Sequence, residues 1–250
     1  MKKNKMSRIL VGLLAATLCF STDAGQSEKR VPKLPAGLLE MYENTEYKDM
    51  PYRLMKPKGY DASKKYPLIL SLHGAGGKGT DNLRSMKIWT ENLASEALRE
   101  KHPCFVLVPQ MNNIWRFSAP QLEPDEETLK KLDPVWDRFK GRFSTGEIVQ
   151  NGPLTLSVEL IELLSENYNI DPNRIYVLGH SMGGFGSWTA IWMEPNRFAA
   201  AIPCAVGLVP WYDYARFKDV PTWAFHSADD PIVSVKYTRA KWMMPRSLHG

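Results

Sequence analysis

Short apolar runs recur along the chain at 68–72, 105–108, 175–178, 199–202 and 222–225. Most are continuous rather than alternating, which predicts strands covered on both faces. Helical spacing fills most of the gaps. Ile88, Leu93, Ala97 and Leu98 come near the helical phase in 82–100, and Leu156, Leu160, Ile161 and Leu164 share one face of 154–167. A further helix is predicted over 182–193. Alternating strands and helices predict an α/β fold: a mostly parallel sheet with helices on both faces. Alternation in 43–57, as in Tyr52-Arg53-Leu54-Met55, predicts an antiparallel edge hairpin. Residues 111–152 break the rhythm with a charged, aromatic stretch containing Trp115, Phe117, Trp136, Phe139 and Phe143. A long insertion after a strand end reads as a lid, with Trp115 as a candidate substrate contact.

The N-terminus changes the domain picture. Lys2, Lys3, Lys5 and Arg8 precede an apolar run over 9–20, and Ser21-Thr22-Asp23-Ala24 follows. Basic, apolar and small residues in that order predict a secretory signal peptide over 1–24, cleaved after Ala24. The expected organisation is then a linker over 25–42 and one domain over 43–250. Most of the formal +5 charge sits in the leader, so nothing points to nucleic acid. A secreted or periplasmic location follows, with no stable membrane insertion after cleavage. Beyond the leader the cysteines are Cys104 and Cys204, predicted to be free thiols at distant strand positions. No Cys/His cluster has metal-ligand spacing, and no cofactor is expected.

The chemistry begins at Gly179-His180-Ser181-Met182-Gly183. This G-x-S-x-G sits between a predicted strand and a predicted helix, which is the context of a nucleophile elbow. A serine hydroxyl needs a base, a carboxylate to orient that base, and donors for the developing oxyanion. Leu72-His73-Gly74-Ala75-Gly76-Gly77 follows the first parallel strand, where an oxyanion loop belongs. Ala75 N–H, with Gly74 as alternative, is the candidate partner of the Met182 N–H. His73 at the strand exit is expected to order that loop, and His180 beside the nucleophile to face substrate. Asp230 stands just past a strand and is the candidate acid, with Asp229 as alternative.

These segments resemble secreted α/β-hydrolase esterases. The resemblance is carried by residues 66–76, by Gly179-His180-Ser181-Met182-Gly183-Gly184, and by Phe225-His226-Ser227-Ala228-Asp229-Asp230-Pro231-Ile232-Val233. It points to the polyhydroxybutyrate-depolymerase, feruloyl-esterase and acetyl-xylan-esterase group, which overlaps prolyl-oligopeptidase-like hydrolases. It implies an α/β-hydrolase fold, Ser181 as nucleophile, and Asp230 as the acid four residues after His226. Ser227 replaces the glycine usual in that turn. The family places its base after one more helix and strand, which takes roughly 25–35 residues. Only 20 residues follow Asp230, among which His249 is the sole histidine. A helix over 235–244, ended by Pro245, is expected there. The last strand and the base-bearing loop are therefore expected to be missing, with His249 as the remaining candidate base.

The resulting expectation is a secreted, monomeric serine ester hydrolase working through an acyl-enzyme. Its substrates would be small-molecule, aryl or polysaccharide-linked esters. Two alternatives stand beside it: a prolyl-oligopeptidase-like peptidase, and a non-catalytic binding protein on a hydrolase fold.

Overall fold

A computed structural model describes residues 33–86, 88–115, 152–207 and 214–242. The expected signal peptide, His249 and the insertion beyond Trp115 lie outside them. Among the described residues six strands form one sheet in the order β1-β2-β4-β3-β5-β6. They are β1 (Glu43–Tyr47), β2 (Met50–Met55), β3 (Tyr66–Leu72), β4 (Phe105–Pro109), β5 (Ile170–His180) and β6 (Ala200–Cys204). The expected hairpin is β1–β2, closed by Lys48 and Asp49 with φ of 46° and 64°. β2 also runs antiparallel to β4, whereas β4, β3, β5 and β6 are mutually parallel.

The parallel strands are apolar at successive positions because both faces are buried. Leu68, Leu70, Leu72, Leu107 and Val177 point to one side, where they meet Leu160 and Ile161 of α3 (Pro153–Asn167) and Trp188 and Ile191 of α4 (Met182–Met193). Met55, Val106 and Val108 point to the other, against Leu38, Tyr42 and Ala94. That second side is roofed by α1 (Ile88–Leu93) and α2 (Glu96–Lys101), and the Trp89 indole donates to Ser71 Oγ at 2.8 Å. The segment assigned to a linker through residue 42 thus ends in a packed 3-10 turn, with Leu38 and Tyr42 buried. Cys104 and Cys204 are free, as expected, and burial pushes the Cys104 thiol up to about 11.

Two expected elements differ. The single helix over 82–100 is two short helices. Asn82 is held at φ 54° by Gln110 Oε1 on its N–H, and its side chain donates to Tyr52 O at 2.7 Å. These long-range bonds hold residue 82 outside a helix, α1 spans only Ile88–Leu93, and Ser95 opens a new helix at α2. The expected strand over 222–225 is reduced to isolated bridges at Ala201–Thr222 and Cys204–Phe225. Its Trp223 is 70 % and Phe225 46 % exposed, so those side chains are not core. The final described helix, α5, spans Lys236–Trp242.

Glycine spacing fixes how α4 meets the sheet. A Cβ on Gly183 would strike the carbonyl of Leu72 at the end of β3, whereas a Cβ on Gly76 would meet nothing within 4 Å. Overpacking against backbone costs about 1–3 kcal/mol. Gly183→Ala should therefore lower unfolding free energy by at least about 2 kcal/mol in urea titration, while Gly76→Ala should change it by less than about 0.5 kcal/mol.

Candidate active site

β5 ends at His180, and α4 begins at Met182. Ser181 is the residue between them, with φ 53° and ψ −117°. A non-glycine residue in this region is strained, and such strain persists only where packing over-determines it. Here the Ser181 N–H donates to Cys204 O at 2.9 Å, and Ser181 O accepts from Phe185 N–H at 3.0 Å. The elbow is thereby pinned to β6 on one side and to its own helix on the other. Met182 is the first residue of α4, so its N–H has no acceptor within the helix.

The loop after β3 passes directly over the elbow. A Cβ on Gly74 would lie 3.1 Å from His180 O and 3.6 Å from Ser181 Cβ. Ala75 then opens a 3-10 turn over Ala75–Gly77, closed by Gly77 N–H on Gly74 O at 2.9 Å. The head of that turn and the head of α4 therefore both adjoin Ser181. An oxyanion intermediate needs amide donors on such elements.

Buried polar groups hold the loop. His73 is wholly buried. Its Nδ1–H donates to Gly74 O at 2.8 Å, and its Nε2 accepts from Met111 N–H at 3.2 Å. It orders the loop, as its place at the strand exit suggested. Trp115 does not stand in the cleft as expected. It is 2 % exposed, its indole donates to His73 O at 2.8 Å, and its ring packs 4.7 Å from the His73 ring. Its position supports the loop in place of a substrate contact. Gln110 has the same kind of role and was missed. It is fully buried, and its Nε2 donates to Gly77 O at 3.0 Å and Asp81 Oδ1 at 2.8 Å. Its available signal was a polar residue directly after the apolar strand 105–109.

The acid turn borders the same cleft. A cavity of about 510 Å³ is lined by His180, Ser181, Asp229, Asp230 and Ile232 among others. Asp230 Oδ1 accepts from Ile232 N–H at 2.8 Å and Val233 N–H at 2.9 Å, and Oδ2 lies 3.4 Å from His226 Nε2. Burial alone would raise its carboxyl. The Val233 and Ile232 amides and the His226 ring outweigh this and hold it below the usual carboxylate range. Asp229 is exposed and bonded to the Ser227 hydroxyl, which holds its carboxyl low. Among the described residues no histidine nitrogen bonds Ser181. His73 and His226 have both nitrogens engaged elsewhere. His102 stands at the foot of β4, the opposite end of the sheet. His249 lies outside the described residues. Also among the described residues, no three His, Cys, Asp or Glu side chains cluster to hold a metal, and no helix is long and apolar enough to cross a membrane.

A parallel sheet with a serine at a strained strand-to-helix turn, faced by a glycine loop and an acid turn, defines an α/β-hydrolase. Residues 44–244 match the model of the Esterase family, and the chain belongs to that family. A crystal structure of a thermostable esterase is 37 % identical and superposes with a TM-score of 0.63 over 81 % of this chain and 50 % of that one. The rat (Rattus norvegicus) S-formylglutathione hydrolase is 39 % identical over 104 residues, 37 % of each protein. A bifunctional acetylxylan esterase/xylanase of Neocallimastix patriciarum is 32 % identical over 100 residues, 40 % of this chain and 15 % of that protein. The chain thus spans half or less of the length of these relatives.

A depressed carboxyl stabilises the fold above its unfolded pKa, and that contribution is lost as pH falls through the folded value. Asp230→Asn should therefore be less stable than wild type at pH 7, and the gap should close in urea titrations below about pH 4. A gap independent of pH would show that the Asp230 charge is not what the turn holds.

Proposed function

We propose that the protein is a secreted serine ester hydrolase acting through an acyl-enzyme. The observation that carries this is the strained Ser181 at the head of α4, with Gly74 packed against it and Asp230 in the same cleft. Ser181 Oγ attacks the ester carbonyl as its proton passes to a base. The Met182 and Ala75 amides stabilise the oxyanion, the alcohol leaves, and water releases the acid. Asp230 orients the base. His249 keeps its candidacy for that role.

Family membership and the partial match to an acetylxylan esterase favour polysaccharide-linked or aryl esters over peptides. His180 is exposed at the cleft and suits a substrate contact. One observation favours a second reading, a binding protein on the hydrolase fold: among the described residues no histidine is bonded to Ser181. Without its base a triad retains only the ~10³–10⁴-fold catalysis of oxyanion hole and binding.

Turnover of p-nitrophenyl acetate separates these readings. Wild type should hydrolyse it at least ~10³ times faster than Ser181→Ala, and much faster than a proline p-nitroanilide. Equal rates for wild type and S181A would favour the binding protein. Faster anilide cleavage would favour the peptidase.

A further inference from the structure

The acid turn holds a second histidine whose role in the proposed chemistry is unassigned. The His226 side chain is 2 % exposed. Its Nε2 lies 2.7 Å from Val233 O. A carbonyl only accepts, so Nε2 carries a proton. Its Nδ1 lies 2.5 Å from Thr238 Oγ1 on α5. That hydroxyl also lies 3.0 Å from the carbonyl of Val206, a fully buried residue. Both ring nitrogens are thus engaged, and Asp230 Oδ2 lies 3.4 Å from Nε2.

We propose that His226 is the positioning residue of the acid. Its two ring nitrogens clamp three separate pieces of chain: the acid turn at Val233, α5 at Thr238, and through that hydroxyl the segment leaving β6 at Val206. The clamp fixes the loop whose Ile232 and Val233 amides hold Asp230 Oδ1, and so sets where the carboxylate faces the cleft. Thr238 touches neither Asp230 nor Ser181 in the hydrogen-bond network. The proposal rests on Asp230 as the acid of the ester-hydrolase reading.

The test is nuclear magnetic resonance of the ¹⁵N-labelled chain, with Thr238→Val and Thr238→Ser beside wild type. Long-range ¹H–¹⁵N correlations should show a proton on Nε2 of the wild-type His226 ring, the nitrogen that faces the Val233 carbonyl. T238V should speed hydrogen exchange of the Ile232 and Val233 amides at least tenfold. T238S, which keeps the hydroxyl, should restore it to within twofold of wild type. A wild-type ring whose Nε2 carries no proton overturns the clamp, and so do Ile232 and Val233 amides that exchange unchanged in T238V. The wild-type ring signal decides even if T238V does not fold. Neither readout uses turnover, so loss of ester hydrolysis and loss of the clamp are seen separately.

Discussion

The seating of α4's first turn against the end of β3 is the contact on which the site depends. Gly183 lies so close to the Leu72 and His73 carbonyls that no side chain fits between them. That approach brings the helix head up to the exit of the neighbouring strand. Ser181, the residue that joins β5 to the helix, must then take a positive φ. The same approach sets Gly74 over the serine. The strain at Ser181 and the approach of Gly74 are therefore consequences of one packing constraint, supported by the Ser181 N–H bond to β6.

What the backbone brings together, buried polar groups keep in place. His73, Trp115 and Gln110 each bond the loop after β3 or its neighbouring turn. Gln110 continues through Asn82 to Arg53, whose guanidinium bonds both the Asn82 and Tyr42 carbonyls. Satisfied networks of this kind rigidify a site, because any member left unpaired in the interior is costly. On the other flank, amides and an imidazole keep the Asp230 carboxyl ionised. Ser181 thus lies between two turns, each bonded by a histidine side chain.

Much of this was legible in the sequence, for identifiable reasons. Continuous apolar runs between helical segments gave away a covered parallel sheet, and the glycines of 179–184 marked the close approach at the elbow. His73 was readable because a polar residue at a strand exit has few other tasks. The late start of helix in 82–100 was not, because Asn82 is held by a long-range bond to Gln110 that no local pattern records. Trp115 looked like a lid aromatic, but burial against His73 decides its role, and sequence does not show burial. Thr222 to Phe225 read as a strand from composition alone, although only two bridges join it to β6. The base was hardest to place. Triad partners meet through folding rather than spacing, and His73 and His226 are taken by structural bonds.

The central claim is that this constraint presents the Ser181 hydroxyl as a nucleophile. Mass spectrometry of the intact chain after brief exposure to an organophosphate ester tests it most directly. The account predicts a single phosphoryl adduct, mapped by peptide sequencing to Ser181. An unmodified chain, or an adduct on any other residue, would contradict it.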